Sequence, residues 1–163
     1  MSTPGRATSN TPDPVAPERQ ILIAGVGEAW VTGEGSAATV ARELAARELP
    51  SGVAVHELGT GALDIAYDVM RGYDALVLID VGSSGAQEGV VEADEEEIDA
   101  AIEDGQSLDP RAMDPPTVMQ FIKNVGGWPG HVLIVPCDPA GGEAGATEAV
   151  DLALATVEEL RSA

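Results

Sequence analysis

The segment Asp74–Val81, with the sequence DALVLIDV, is the most hydrophobic stretch of the chain and decides the predicted fold. Apolar residues fill it almost without interruption, which is typical of a strand buried on both faces of a parallel sheet. Asp80 stands near the end of this strand. The sequence therefore predicts a parallel sheet that carries a carboxylate at the end of a central strand.

Alternating apolar and helical patterns extend this interpretation along the chain. Further strands are predicted at Ile21–Ala24, Val53–Leu58 and His131–Val135, with an edge strand at Gly89–Glu92. Helices are predicted at Ala37–Leu49, Leu63–Met70, Pro115–Lys123 and Gly145–Leu160. This alternation predicts an α/β fold, a three-layer α/β/α sandwich with a mostly parallel central sheet. In such sheets, ligands bind beyond the carboxyl ends of the strands.

The 163 residues are enough for one domain, which we place at residues 20–163. Residues 1–19 contain Pro4, Pro12, Pro14 and Pro17 and are predicted to be a disordered lead-in. This lead-in lacks the apolar core of a secretory signal. The apolar runs elsewhere are too short to cross a bilayer. We therefore expect a soluble, cytoplasmic protein.

The charge is strongly acidic, with 28 Asp and Glu against 8 Lys and Arg and a formal net charge of −20. Such a field repels phosphate, so neither nucleic acid nor an anionic membrane is an expected partner. It favours metal ions and basic peptide segments. Eight of the acids lie in residues 92–104. A solvated helix or loop is the favoured interpretation of that run, and a docking patch for a basic partner is the alternative.

The single cysteine and the two histidines offer little chemistry. Cys137 alone excludes an internal disulfide or a multi-cysteine zinc site. His131 and Cys137 are six residues apart on or near one strand, about 20 Å, which is too far for a catalytic dyad. We interpret His56, on the second predicted strand, as a satisfied and partly buried side chain. Gly25 and Gly27 begin a dinucleotide-type pattern, but Trp30 stands where that pattern needs glycine.

Two acids are better placed for a site. Asp80 lies at the predicted carboxyl rim, where a turn-capping role is an equally good interpretation. Glu34 lies between two glycines before the first helix, where it could instead complement the helix dipole. If the loop folds over the sheet, the two carboxylates would share a cation. Carboxylates alone suit hard metals, whereas nickel or zinc would also want an imidazole.

Five segments, in this order, resemble the maturation proteases of nickel–iron hydrogenases. They are ILIAGVGEAWVTGEG (Ile21–Gly35), Gly59–Gly61, LVLIDV (Leu76–Val81), RAMDPPTVM (Arg111–Met119) and VPCDPA (Val135–Ala140), followed by an Ala/Val-rich helix. The resemblance covers about residues 20–162. It implies an α/β/α endopeptidase that removes a C-terminal extension from a hydrogenase large-subunit precursor. Nickel, carried by that substrate, is then the recognition signal, and no organic cofactor is implied.

The resemblance also assigns site residues. The family reads nickel with a Glu, an Asp and a His, which fall on Glu34, Asp80 and Arg111. The third position therefore departs from the family, because arginine has no lone pair with which to ligate a metal. It would instead pair with a carboxylate or hold a substrate carboxylate. Two smaller departures are Glu28, where the family has Asn, and Gly33, where it has Asp.

Three functions follow as hypotheses. The first is an endopeptidase in which Glu34 and Asp80 contact the substrate's nickel and Arg111 replaces the third contact, with no nucleophile assigned. Its cleft would be shaped by five small residues, Gly25, Gly27, Gly59, Thr60 and Gly61. The second is a non-catalytic relative that serves as a hydrogenase assembly or binding factor. The third is an unrelated α/β domain that binds a nucleotide or another small molecule.

Overall fold

The computed structural model describes residues 20–27, 35–56, 61–82, 89–96, 115–124, 128–138 and 141–162. This part of the chain forms, in order, β1 (Ile21–Val26), α1 (Gly35–Ala46), β2 (Val53–Val55), α2 (Ala62–Val69), β3 (Ala75–Val81), β4 (Val91–Glu92), α3 (Pro115–Asn124), β5 (His131–Cys137) and α4 (Gly142–Ser162). The predicted lead-in, residues 1–19, lies outside the described residues.

The strands form one sheet in the order β2-β1-β3-β5-β4. The pairs β1–β2, β1–β3 and β3–β5 are parallel, and only the short edge strand β4 is antiparallel to its neighbour. From β1 the chain moves outward to β2 and then returns to place β3 on the other side of β1. The strand order therefore reverses between β1 and β3, and such a switch point opens a crevice at the carboxyl ends of its strands.

Helices cover both faces of the sheet. On one face, α1 and α4 pack through Val40 and Val150 against a core that includes Ile23 and Val77. On the other face, α2 and α3 pack against the alternate residues of the same strands, including Leu22, Leu76 and Leu78. Every residue of β1 and β3 is buried, as a doubly covered parallel sheet requires. The predicted three-layer α/β/α sandwich is confirmed.

Most boundaries differ from the prediction by a few residues, and three of these differences bear on the site or its neighbours. Helix α1 ends at Ala46 rather than Leu49, because the residue before Pro50 disfavours helical geometry. Strand β2 ends at Val55, so His56 follows the strand instead of lying inside it. Strand β5 continues to Cys137, which pairs with Val81. Among the described residues, every helix is too short or too polar to cross a bilayer.

Candidate functional site at the carboxyl edge of the sheet

Asp80 lies at the carboxyl edge of the sheet, next to the switch point. Its backbone is in register with Val26 on one side and with Pro136 on the other. Side chains alternate along a strand, so Asp80 points to the same face as Leu76 and Leu78, the face covered by α2 and α3. The residue is only 8% exposed. A carboxylate this buried at the end of an apolar strand needs close polar or backbone neighbours.

Gly27 is one of those neighbours. It follows β1 with φ +107°, a conformation that residues with a side chain rarely adopt. A Cβ built on Gly27 would lie 2.6 Å from Oδ1 of Asp80 and even closer to the carbonyl oxygen of Val81. The backbone of Gly27 therefore packs directly against the Asp80 carboxylate, and glycine is the residue that allows this approach. This contact joins the Gly25-Val26-Gly27 segment to the acid at the end of β3.

The structure describes only some of the other predicted site residues. Gly25 is buried within β1, where it pairs with Ile79. Gly61 is the N-cap of α2 in extended conformation, and its carbonyl accepts a hydrogen bond from the Ile65 amide at 3.1 Å. Since α2 follows β2, this cap lies toward the same edge of the sheet as Asp80. The remaining predicted site residues lie outside the described residues: Glu34, Gly59, Thr60 and Arg111.

His56 is engaged elsewhere, as the sequence predicts for a satisfied histidine. Its amide donates to the Ile23 carbonyl at 2.8 Å, and its Nδ1 lies 2.7 Å from Oδ2 of Asp68 in α2. Its position, level with Ala24, is about 7 Å short of Asp80 along the strands and about 10 Å away across them. The ring is 8% exposed. His56 therefore links α2 to the sheet through Asp68. It does not supply, near Asp80, the imidazole that nickel recognition by the resembled family uses.

The pairing with Asp68 was not visible in the sequence. Twelve residues separate the two side chains, and Asp68 looks like any acid on the outer face of an amphipathic helix. The only available signal was the burial expected for His56, which calls for a polar partner without indicating which one.

Cys137 is an unsuitable nucleophile. Burial raises the pKa of its thiol, and the nearby carboxylates of Asp138 and Asp80 raise that pKa further. The thiol therefore stays protonated at neutral pH, and the thiolate is the reactive form. His131 lies at the opposite end of β5, where its Nδ1 is 2.8 Å from Oε2 of Glu92. The predicted absence of a Cys137–His131 dyad is confirmed.

A cavity of about 330 Å³ opens beside the end of β5 and the start of α4. It is lined in part by Pro136, Asp138, Gly145, Glu148 and Leu152. Since Pro136 is in register with Asp80, the cavity adjoins the same edge of the sheet. Sequence reasoning named VPCDPA only as a motif and missed this cavity, because its second wall comes from α4.

The described residues do not by themselves form a metal centre. Among them, no group of three or more His, Cys, Asp or Glu side chains is arranged to hold an ion. Asp80 is one carboxylate of the predicted pair, and Glu34 would have to supply the other.

Comparison with solved structures relates the fold of this chain to that of known proteins. The hydrogenase 2 maturation peptidase from a Thaumarchaeota archaeon superposes with a TM-score of 0.52 at 22% identity, covering 85% of this chain and 98% of that one. The hydrogenase maturating endopeptidase HybD from E. coli superposes with a TM-score of 0.55 at 18% identity, covering 86% and 93%. This chain has the fold of the hydrogenase maturation peptidases.

A third structure with this fold, an endopeptidase from Escherichia coli, superposes with a TM-score of 0.52 at 21% identity, covering 85% of this chain and 89% of that one. No family model and no curated protein matches the sequence. The likeness to the maturation peptidases therefore covers 85–86% of the chain and lies in the fold.

Proposed function

We propose that this protein is an endopeptidase that removes a C-terminal extension from the large-subunit precursor of a nickel–iron hydrogenase. The observation that carries the proposal is the position of Asp80. It is a buried carboxylate beside the switch point of a fold shared with maturation peptidases, at the position that the resemblance assigns to nickel recognition. We further propose that the protein works in the cytoplasm, where such a precursor is synthesised.

The proposed chemistry uses the nickel of the substrate. Asp80 and Glu34 would contact the ion with carboxylate oxygens, and Gly27 would hold the Asp80 carboxylate in place. A metal ion near the scissile bond polarises the peptide carbonyl as a Lewis acid. Water then adds to the carbonyl carbon, the C–N bond breaks, and the leaving amine takes up a proton. This route needs no side-chain nucleophile, in agreement with the protonated thiol of Cys137.

The direct test incubates the purified protein with a large-subunit precursor in two forms, one loaded with nickel and one nickel-free. Intact-mass spectrometry then measures loss of the extension. We expect cleavage of the nickel-loaded form only. An extension that stays uncut in both forms would contradict the peptidase assignment.

Arg111 favours a second candidate, a non-catalytic assembly factor that binds the precursor without cutting it. The resemblance expects an imidazole at this position, and no histidine lies between His56 and His131 to replace it. An assembly factor would bind the nickel-loaded precursor and leave its mass unchanged. Substitution Arg111→His separates the two functions. A gain of cleavage or of nickel affinity would identify a degenerate peptidase site, and no change in either would mean that Arg111 has another role.

A further inference from the structure

Helix α2 carries an unusual surface. Its inner face is buried through Ala62, Ile65, Ala66 and Val69. Leu63, Tyr67 and the C-cap residue Met70 follow the i, i+4, i+7 spacing and lie together on one side of the helix, outside that face, with Leu63 half-buried. We name these three residues the α2 flank. Tyr67 is 55% exposed and Met70 is 50% exposed. The helix therefore presents a second apolar surface that the described core does not cover.

This exposure is unusual for this chain. Among the described residues, only Tyr67, Met70 and Val91 are large apolar side chains that are exposed. Two of the three are on the α2 flank, although aromatic residues make up only 3% of the sequence. Contiguous exposed apolar patches rimmed by polar groups are typical of protein interaction sites.

The rim of the flank is acidic. Asp64 and Asp74 are exposed, and Asp68 is half-buried. Arg71 is the base in this rim. Its guanidinium lies 3.7 Å from the carboxylate of Asp68, and this carboxylate partly neutralises the charge of Arg71. A partner that suits this rim carries Lys or Arg around an apolar centre.

A second copy of the chain is a poor occupant. In a symmetric dimer the same patch meets itself. Asp64 and Asp74 of one copy would then face the same acids of the other. Each copy also carries a net charge of −20, which adds long-range repulsion.

We propose that the α2 flank docks the folded body of the hydrogenase large-subunit precursor while the extension enters at Asp80. This inference rests on the proposed function. Helix α2 begins with its Gly61 cap toward the edge of the sheet that carries Asp80, and the flank runs from Leu63 away from that edge. A substrate held there would contact the protein at both places at once. The apolar centre supplies affinity, and the acidic rim selects a partner surface with the opposite charge.

The test compares two variants with matched exposure. Tyr67→Gln combined with Met70→Gln removes the apolar surface with a residue that helices tolerate well. Val91→Thr removes the third exposed apolar side chain, on β4, with little change of shape. For each variant, isothermal titration measures Kd for the nickel-loaded precursor, cleavage gives KM and kcat, and circular dichroism confirms folding.

The double variant is expected to raise Kd and KM about tenfold or more, equivalent to 1.4 kcal/mol, and to leave kcat unchanged. The Val91→Thr control should keep the wild-type values. Binding by the wild type should also weaken as salt is raised, since an acidic rim acts electrostatically. A Kd within twofold of wild type in the double variant would overturn the docking surface. So would a wild-type dimer in sedimentation velocity that the double variant abolishes.

The two proposals fail in different ways. Wild-type protein that binds the precursor through the flank but never cuts it would refute the peptidase and support the docking surface. Wild-type protein that cuts the precursor with a KM unaffected by the double substitution would support the peptidase and refute the docking surface. Wild-type protein that neither binds nor cuts it would refute both.

Discussion

Replacement of Gly27 by alanine tests the contact that positions Asp80. The new Cβ would lie 2.6 Å from Oδ1 of Asp80 and closer still to the Val81 carbonyl. The carboxylate can rotate away, but the carbonyl belongs to β3 and moves only with the strand. The substituted residue would also keep φ near +107°, which is strained for any residue with a side chain.

The magnitude has two parts. A strained backbone conformation costs about 1–3 kcal/mol, and overpacking against fixed neighbours costs about 1–3 kcal/mol more. Gly72 provides a matched control, because it has φ +116° but no atom within 4 Å of its built Cβ. Gly72→Ala therefore carries the backbone strain without the collision. The difference between the two variants isolates the contact, and we expect it to be about 1–3 kcal/mol of unfolding free energy.

Urea denaturation of both variants measures that difference, and cleavage of the precursor measures its consequence for Asp80. We expect Gly27→Ala to unfold at lower urea than Gly72→Ala and to cleave more slowly, while Gly72→Ala keeps wild-type cleavage. Equal midpoints and equal cleavage rates for the two alanine variants would refute the argument that Gly27 holds the carboxylate.

Two further predictions concern the groups around the site. The folded state raises the pKa of the Cys137 thiol, so as pH rises the unfolded chain releases the thiol proton first. The unfolding free energy should therefore fall as pH rises through the ordinary thiol pKa. In urea titrations between neutral and alkaline pH, Cys137→Ala should make this fall less steep, and the variant should still cleave the precursor. A slope that Cys137→Ala leaves unchanged, or loss of cleavage in that variant, would contradict this. His56→Ala removes the bond to Asp68 and should lower the unfolding free energy by about 1–3 kcal/mol. The exposed ion pair of Arg161 with Glu158 gives a control, since Arg161→Ala should cost less than about 1 kcal/mol; equal losses from the two alanine variants would mean that His56 does not pin α2.

The three layers of this fold, and the succession of strands and helices along the chain, were predictable from local sequence patterns. The run in β3 is apolar without alternation, and the helices have periodic apolar faces, so burial on both sides of a sheet was the consistent solution. The strand order was not predictable in the same way. The strand order depends on the side of β1 to which each crossover connection returns the chain. No single segment of the sequence encodes that choice.

The site was predictable only in part for the same reason. Asp80 could be named because an acid at the end of an apolar run is locally conspicuous. The approach of Gly27 to that acid, the bond from His56 to Asp68 and the cavity between β5 and α4 each join segments that are distant along the chain. A local pattern carries no information about such pairs. The α2 flank was hidden as well, because the spacing of Leu63, Tyr67 and Met70 is that of a core face, whereas the structure buries a different set of residues of the same helix.

The proposed role of Asp80 in reading the nickel of a hydrogenase precursor is tested most directly by the cleavage rate of Asp80→Asn. Asparagine keeps the size of the side chain and removes the charge, and Glu159→Gln on the exposed surface of α4 serves as the matched control. Intact-mass spectrometry over a time course with nickel-loaded precursor gives the rates. We expect the wild type and Glu159→Gln to remove the extension, and Asp80→Asn to slow removal at least about 100-fold, the scale of losing one preorganised electrostatic contact. Cleavage by Asp80→Asn at the wild-type rate would contradict this role.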